Sequence, residues 1–548
     1  IERGASVTEQ RSSYSDLNFE SFFNHEKVFN AIHTVKTTLG ASIFSRNGSA
    51  LGGTGYNIPN NSIDYADISA NQAPGGFLNN VYSFQFQERL VSTFLRAEYK
   101  YSSKYFGSAI LRRDGSSKFG PNSRYGIFPT VSGSWVVSEE DFYDNKTFDF
   151  LKIRASYGIS GNDQIENFAY RGLLTGEGVY VFDDVITSGA AIGRASNPDL
   201  KWETTRQLNI GADFSLYKNL SVTLNYFIKN TKDLLFQPDV SGVLGTAGAG
   251  SYPPIINAGD VSNKGLEIEL SHDAKVGKNW NITNSLNATF IKNEVTAIPE
   301  GVDFIPGAAF GIGGGIATRF EQGYSIGYFI GYETDGIFQT QAEIDNSPVK
   351  QDGAKPGDLR YIDQNGDGVI NDDDRTFIGN PNPDYVYGMN FNFRYKRFTV
   401  RALFNGVYGN QIANGNLLQL DNAEGLAFRN ILPRAYNNAW RPDNQSNTHP
   451  RIGYRTEGQI AITDRIIEDG SYLRLNNLTI GYDIPVSENK FINNLNVYIA
   501  GQNLFTWTNY SGYDPEVSTF LYTGLINGVD WNSGINARNV LMGVNIKF

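Results

Sequence analysis

Apolar residues recur at every second position at the end of the chain, and polar residues fill the positions between them. The mostly apolar positions are Arg538, Val540, Met542, Val544, Ile546 and Phe548, and the alternate positions include Asn539, Asn545 and Lys547. A period of two predicts a β-strand with one apolar and one polar face. Half-buried strands of soluble sandwiches alternate in the same way, so a single segment does not identify the fold.

The same alternation recurs along the whole chain. On both sides of the turn Lys218-Asn219, apolar and polar residues alternate, which predicts a β-hairpin. In total we predict about sixteen strands from this pattern. They lie near residues 14–24, 31–44, 84–100, 104–113, 128–138, 149–159, 203–217, 219–230, 264–272, 278–292, 325–334, 384–395, 397–408, 471–484, 493–505 and 537–548.

Charged residues on the polar faces distinguish these strands from those of a dry sandwich. Arg96, Glu98, Lys100 and Asp213 occupy polar positions, where a closed apolar core would not accept them unpaired. No apolar run reaches the roughly 20 residues of a membrane helix, so a membrane-spanning form of this chain has to be a barrel. The pattern therefore predicts an all-β protein, a transmembrane antiparallel β-barrel with about sixteen strands in this chain.

Composition narrows the class further. The chain contains 31 Tyr and 36 Phe, enough for the aromatic girdles of a membrane barrel. It has no Cys, which excludes a disulfide scaffold, a thiolate metal site and a Cys nucleophile. The formal net charge of -11, without a basic stripe, argues against a nucleic-acid partner.

Long connecting segments make up much of the chain. Since a spanning strand takes about 9–11 residues, well over half of the 548 residues lie outside the membrane, which is too much loop for a bare pore. The Gly-, Asn-, Asp- and Ser-rich stretches are 46–83, 161–202, 231–263, 335–383, 409–470 and 506–536. They recur about every second strand, as in bacterial outer-membrane barrels with short turns on one side and long extracellular loops on the other.

The first residues, Ile1 to Gly4, lack the basic and apolar regions of an export signal. A barrel has to cross the inner membrane, so we expect the chain to be the C-terminal part of a longer polypeptide.

Several longer motifs resemble a known family. They are RRDGSSKFG at 112–120, RYGIFP at 124–129, SYG at 156–158, GNDQI at 161–165, NPDLKWE at 197–203, GNPNPD at 379–384 with YG at 387–388, EDGSYLRL at 468–475 and GQNLF at 501–505. These segments are similar to the barrel of SusC/RagA-type TonB-dependent transporters of Bacteroidetes. The resemblance covers nearly the whole chain, in family order.

The resemblance implies a 22-strand barrel in the bacterial outer membrane, of which residues 1–548 are the C-terminal portion. The N-terminal strands, the plug and the TonB box of the family are absent from these residues. It also implies energy-coupled import of a nutrient such as a glycan or peptide. The implied partners are a SusD-like surface lipoprotein that caps the barrel, outer-membrane lipid, the rest of the same polypeptide, and TonB with ExbB and ExbD, which act through the absent N-terminal part.

Two other functions remain open. The barrel could be a structural scaffold in a larger surface or secretion complex, or it could be a passive porin. Enzymatic activity is not predicted, because Glu267 and Glu269 on one strand face match an ordinary polar wall, and the four His have no metal spacing. The glycine run at 311–315 lacks the Lys-Ser/Thr of a phosphate loop. The sequence does not name the cargo.

One segment carries recognisable ligand chemistry. With Asp363 as position 1 of a calcium loop, the ligands at positions 1, 3, 5, 7, 9 and 12 are Asp363, Asn365, Asp367, the backbone carbonyl of Val369, Asn371 and Asp374. Gly368 supplies the sharp turn at position 6, and Asp374 replaces the usual bidentate Glu. The segment 363–374 therefore predicts a structural Ca²⁺ site inserted in a loop. Asn-Gly-Asp-Gly is also ordinary turn chemistry, which is the alternative interpretation.

Overall fold

The computed structural model describes residues 5–59, 62, 66–70, 72, 80–144, 147–174, 176–237, 253–307, 309–310, 315–421, 430–452, 462–486, 491–519 and 525–548. The expectation about residues 1–4 and the glycine positions 311–314 lie outside the described residues.

Strands account for most of the regular structure. In chain order they are β1 (Ser6–Phe29), β2 (His33–Tyr56), β3 (Asn80–Tyr101), β4 (Tyr105–Ser116), β5 (Tyr125–Val136), β6 (Phe148–Asn162), β7 (Gly176–Phe182), β8 (Val185–Ala191), β9 (Glu203–Leu216), β10 (Leu220–Lys232), β11 (Leu235–Phe236), β12 (Ile256–Asn257), β13 (Asp260–Val276), β14 (Trp280–Ala297), β15 (Ile305–Pro306), β16 (Ala309–Phe310), β17 (Gly315–Ile316), β18 (Thr318–Phe320), β19 (Tyr328–Gly331), β20 (Thr334–Ile337), β21 (Leu359–Tyr361), β22 (Thr376–Gly379), β23 (Tyr385–Tyr395), β24 (Phe398–Tyr408), β25 (Gln411–Asn414), β26 (Ile467–Asp469), β27 (Tyr472–Ile484), β28 (Asn494–Thr508), β29 (Val529–Asp530) and β30 (Asn539–Lys547).

Helices are few and short in the described ranges. They are α1 (Gln341–Asp345), α2 (Leu417–Leu420) and α3 (Pro433–Asn438), with 3₁₀ turns at Ile68–Ala70, Val137–Glu139, Asp372–Asp374 and Asp464–Ile466. Among the described residues, no helix has both the length and the apolar character needed to cross a bilayer.

Fifteen of these strands form one sheet in chain order. They are β1–β6, β9, β10, β13, β14, β23, β24, β27, β28 and β30. Neighbours such as β1 and β2, β13 and β14, and β27 and β28 pair antiparallel. Long connections follow β2, β6, β10, β14, β24 and β28, and the remaining connections between neighbouring strands of this sheet are short.

The chain divides into two compact units. One unit contains residues 1–134, 156–206 and 231–258, and the other contains residues 135–155, 207–230 and 259–548.

One predicted strand is wrong. The alternation predicts a membrane strand at 325–334, but this segment contributes only the four residues of β19 to a separate four-stranded sheet, β15-β18-β19-β22. All four residues of β19 are buried, so its residues do not have the alternating exposure of a membrane strand. A short apolar run does not distinguish these two environments by period alone.

One predicted connection is too long. β2 extends to Tyr56 and β3 begins at Asn80, so the ends of the predicted loop 46–83 are strand. The alternation is lost there because Ser45, Asn47 and Ser49 continue the face of β2 on which Leu39 and Ile43 lie. On the opposite face, glycines of β2 lie beneath aromatic rings of β3. A Cβ on Gly48 would lie 2.3 Å from the Phe86 ring, and a Cβ on Gly52 would lie 2.6 Å from the Tyr82 ring.

Aromatic side chains form two rows on the apolar face of three neighbouring strands. Each strand carries an aromatic pair ten positions apart, at 280 and 290 in β14, 385 and 395 in β23, and 398 and 408 in β24. Across strands, Trp280 contacts Tyr395 (4.7 Å between ring centroids), Phe290 contacts Tyr385 (5.2 Å) and Tyr385 stacks on Tyr408 (4.9 Å). Ten residues of a strand span roughly 3.3 Å each along the strand axis. If the strands tilt by about 40° from the barrel axis, the two rows lie about 25 Å apart along that axis, which is the height of the apolar band of a membrane barrel.

The buried apolar cores lie mainly in the connections. In the first unit, Phe119, Leu200 and Ile255 pack with Phe128 and Trp202, and the indole N–H of Trp202 donates to the Arg124 carbonyl (3.1 Å). In the second unit, another cluster is formed by Ala317, Phe329, Ala413, Leu418, Ile462, Ile466, Ile526 and Val529. Described parts of several long connections are therefore packed structures, while the apolar face of the sheet stays exposed.

Candidate functional site

The loop 363–374 folds around its own acidic side chains. The Asp363 carboxylate accepts the N–H groups of Gly366 (2.6 Å) and Gly368 (2.8 Å). The Asn365 amide oxygen accepts from Asp367 N–H (2.9 Å), and Asp367 accepts from Val369 N–H (2.8 Å). Gly366 and Gly368 both have positive φ, which other residues rarely adopt, so the turn depends on these glycines.

Position 12 of the loop is buried. Asp374 is fully buried, and its two oxygens accept the N–H groups of Gln364 (2.9 Å) and Asn371 (2.8 Å). The Asn371 side chain in turn accepts from Asp373 N–H (2.7 Å) and caps the 3₁₀ turn Asp372–Asp374. The structure thus brings both ends of the predicted motif together through one carboxylate.

The surroundings of Asp363 keep its carboxyl group ionised. The pKa of Asp363 is lowered, chiefly by the N–H of Gly368, so this carboxyl stays ionised at neutral pH. Each carboxylate oxygen keeps a lone pair after accepting one N–H. The backbone N–H of Lys350 donates to the Gly368 carbonyl, and its carbonyl accepts from the Ile370 N–H. Because successive carbonyls of an extended segment point to opposite sides, the Val369 carbonyl points away from Lys350. An all-oxygen donor set of this kind fits Ca²⁺.

The described residues contain no group of three or more His, Cys, Asp or Glu side chains arranged around a metal. In the loop 363–374, three of the six predicted ligands are of these residue types, and the other three are two Asn side chains and one backbone carbonyl.

The loop is attached near both of its ends to two adjacent residues, Tyr332 and Glu333. Tyr332 donates to Asp372 (3.2 Å), and burial raises the pKa of this tyrosine to about 12. Gln364 donates to Glu333 (2.9 Å). Order in 363–374 is therefore coupled to the segment that joins β19 to β20, within the same connection between β14 and β23.

The polar face of the sheet carries paired charges. On four neighbouring strands, Arg154 of β6 donates to Asp213 of β9 (3.2 Å) and to Asn225 of β10 (3.2 Å), and Asn225 donates to Glu267 of β13 (2.7 Å). In the other unit, Arg96 and Glu98 form an ion pair at 2.6 Å. These contacts explain Glu267 as part of a hydrogen-bonded polar wall.

A buried arginine ties a long connection to this polar face. Arg474 of β27 is 3% exposed and donates to Asp514 (2.5 Å), Glu516 (2.7 Å) and Thr506 (3.0 Å). Because Arg474 lies on the polar face, part of the connection between β28 and β30 folds over that face. Sequence reasoning missed this anchor, and its only signal was an Arg at a polar strand position within the motif at 468–475.

Three tryptophans in or beside the long connections are used for packing. Trp440 is buried, and its indole N–H donates to Gln339 (2.9 Å). Trp202 and Trp531 contact the loop cores. Trp507 is exposed beside Phe505 on the apolar face, where an aromatic girdle is expected.

Comparisons with known proteins give consistent results. A family model described as TonB dependent receptor-like, beta-barrel matches residues 3–504. TonB-dependent receptor P3 of Formosa agariphila is 33% identical over 554 residues, which cover 96% of this chain and 53% of that protein. TonB-dependent receptor SusC of Bacteroides thetaiotaomicron is 28% identical over 476 residues, which cover 84% of this chain and 44% of that protein.

The fold is similar to a solved structure as well. The structure of the RagAB peptide transporter superposes with a TM-score of 0.81 at 22% identity, covering 99% of this chain and 56% of that chain. This chain spans about half the length of the curated relatives that it matches.

Proposed function

Because this chain belongs to the TonB-dependent receptor β-barrel family, we propose that it forms the barrel wall of an energy-coupled importer of a nutrient such as a glycan or peptide. The chain lies in the bacterial outer membrane, as a barrel of this family does. The observation that carries the proposal is the sheet itself, with an exposed apolar face between two aromatic rows and a charge-paired polar face. Such a wall meets lipid on one side and water on the other.

The residues of the chain have distinct roles in this function. The polar wall, with Arg154, Asp213 and Glu267, keeps the lumen wettable for a polar cargo. Arg474 holds one long connection over that wall and narrows the path. The packed loop cores supply a stable outer surface on which cargo can bind.

The partners follow from the same proposal. A SusD-like lipoprotein lid would rest on the long loops, and TonB with ExbB and ExbD would act through a part of the protein outside this chain. The pairing of a barrel with a second protein is supported by the similarity to the RagAB structure.

The loop 363–374 would hold a structural Ca²⁺. Asp363, Asn365, Asp367, Val369, Asn371 and Asp374 are the residues proposed to bind it, and the ion would neutralise the carboxylates of Asp363, Asp367 and Asp374. The hydrogen bonds of Tyr332 and Gln364 would transmit this order to the neighbouring loop strands.

Growth of a bacterium that carries the gene tests the transport proposal. Deletion of the gene should abolish growth on one class of glycan or peptide, and deletion of TonB should give the same defect on that nutrient. Growth that depends on the gene but not on TonB would indicate a porin. No nutrient defect, together with a stable multi-protein complex at the surface, would indicate a scaffold.

A further inference from the structure

Three neighbouring strands continue beyond the rest of the sheet on the side of the long connections. β1, β2 and β3 have 22 to 24 residues each, whereas the adjacent β4 has 12. β4 pairs with β3 only from Leu90 onward, so the first ten residues of β3 have β2 as their one paired strand. We call residues 8–17 of β1, 45–54 of β2 and 80–89 of β3 the strand extension.

The face of the sheet that is apolar elsewhere becomes polar in the strand extension. Val91 and Leu95 of β3 are exposed on this face. Toward the start of β3 the same face is polar on both strands, with Gln85, Gln87 and Arg89 opposite Ser49, Asn47 and Ser45. The Gln87 amide donates to Asn47 (2.9 Å). Because a strand face in contact with lipid is apolar, the strand extension lies outside the hydrocarbon layer.

Aromatic rings cover the opposite face of the strand extension. On β3 they belong to Tyr82, Phe84 and Phe86. These positions share a face with Arg96 of the polar wall, since side chains of a strand alternate with a period of two. Tyr14 of β1 adds a fourth ring, 6.2 Å from Phe86 between ring centroids. We call Tyr14, Tyr82, Phe84 and Phe86 the aromatic patch.

The aromatic patch is open to solvent. Tyr14 is 59% exposed and Phe84 is 47% exposed. The planes of Phe84 and Phe86 are only 19° apart, with 6.5 Å between ring centroids. The two rings therefore present a nearly parallel pair to a ligand.

The strand beneath the rings has almost no side chains on this face. The residues of β2 directly opposite Phe86, Phe84 and Tyr82 are Gly48, Ala50 and Gly52. A Cβ on Gly48 would meet the Phe86 ring, and a Cβ on Gly52 would meet the Tyr82 ring, so both rings lean over glycines. No β2 side chain larger than a methyl group rises between the rings, which leaves a shallow surface.

Hydrogen-bonding groups border the aromatic patch without an excess of charge. On one side the Gln10 amide accepts from the Tyr82 hydroxyl (2.8 Å) and donates to Ser12 (2.9 Å). On the other side the charged groups are paired, Arg46 with Asp16 (2.7 Å) and Lys118 with Glu88 (3.1 Å). A ligand that carries charge finds no unpaired counter-charge among these groups, whereas a neutral ligand with hydroxyl groups finds donors and acceptors.

We propose that the aromatic patch binds pyranose rings of a neutral glycan. The C–H groups on one face of a pyranose stack on an aromatic ring, and its hydroxyl groups bond to polar side chains such as Gln10 and Ser12 at the border. The inference rests on the proposed function as an importer, and it names a glycan as the substrate class.

The area of the aromatic patch fits a sugar better than a protein. Four rings of about 200 Å² each, on average less than half exposed, offer at most about 400 Å². A stable protein interface takes about 800 Å² from each partner. The patch is therefore large enough for one or two sugar rings and too small to hold a protein by itself.

The variant Phe84→Ala in the complete, detergent-purified transporter tests the proposal. The probes are a printed array of neutral and acidic oligosaccharides, followed by calorimetry with the strongest neutral ligand. Phe84→Tyr keeps a ring at the same position. The matched control is Phe182→Ala, which removes a 60% exposed phenylalanine of β7, outside the aromatic patch. Heat-modifiable migration on a gel reports whether each variant is folded.

Wild type should bind a neutral oligosaccharide, and Phe84→Ala should weaken that binding at least about tenfold, because one ring loses its apolar contact with the sugar. Phe84→Tyr and Phe182→Ala should bind as wild type. The proposal is overturned if wild type binds no neutral oligosaccharide of the array, if folded Phe84→Ala keeps full affinity, or if Phe182→Ala loses as much.

Other occupants of the aromatic patch give different results. Unchanged sugar affinity with loss of a co-purifying lipoprotein in Phe84→Ala would assign the patch to a protein partner. Unchanged sugar affinity with a lower unfolding temperature would assign it to packing against the rest of the polypeptide. Growth that does not depend on TonB would contradict the importer without altering these affinities, so the two failures are distinguishable.

Discussion

At the scale of single residues, carboxylates that accept backbone N–H groups determine the structure of the loop 363–374. Asp374 is fully buried, with two N–H groups bound to it, whereas the neighbouring Asp373 is exposed. The position of each carboxylate matters more than the total charge of the acidic run.

Asp374→Ala should abolish calcium binding by the loop and leave two backbone N–H groups without a partner. Each unsatisfied buried group costs about 1–3 kcal/mol, so the loop should lose local order. Isothermal calorimetry with CaCl₂ on the purified transporter measures the binding, and Asp373→Asn is the control that changes one charge outside the predicted ligand set. Equal calcium affinity in wild type and Asp374→Ala would leave only the turn interpretation.

The buried Arg474 anchor gives a second residue prediction. Arg474→Gln removes the cation that faces Asp514 and Glu516, and breaking a buried pair of this kind costs about 3–5 kcal/mol. We expect the connection 509–536 to become sensitive to limited proteolysis while the sheet stays intact. Arg46→Gln is the control, because its ion pair with Asp16 is exposed, and exposed pairs contribute about 0–1 kcal/mol.

Resistance of 509–536 to protease in the Arg474→Gln variant would mean that other contacts hold this connection.

At the scale of elements, the strands were predictable and their long-range partners were not. Alternation located the fifteen strands of the sheet because one face of each is apolar. It failed at β19, which is buried on both faces, and at the glycine-rich end of β2. Arg154 and Asp213 are 59 positions apart, and Arg474 and Asp514 are 40 apart, so these pairs depend on registers that one sequence does not specify.

The six residues predicted to bind calcium could be selected by spacing because they lie within twelve consecutive residues, and their binding of calcium stays a prediction. The capping role of Asp374 depends on local backbone geometry that the spacing alone does not contain.

The last strand should be required for assembly. β30 pairs with β28 from Asn539 to Lys547, and loss of these backbone hydrogen bonds in lipid costs several kcal/mol per unpaired group. Deletion of residues 539–548 should abolish membrane insertion, and Phe548→Ala should slow it. The measurement is heat-modifiable migration of the barrel on a gel, and wild-type amounts of folded truncated protein would contradict the prediction.

At the scale of the whole molecule, a polar wall needs an obstruction to prevent leakage. The proposed importer needs such an obstruction, a plug, which we place in a part of the protein outside this chain. Removal of that plug with all strands retained should convert the importer into a non-selective channel. Conductance in planar bilayers measures this, and equal conductance with and without the plug would show that the loops close the pore.

Uptake of labelled cargo in cells with and without TonB tests the central claim most directly. Once the growth screen has identified the nutrient, its initial uptake rate should saturate with concentration and should fall to the background of the gene deletion when TonB is absent. Uptake that is linear in concentration and unchanged without TonB would contradict energy-coupled import and indicate a passive pore.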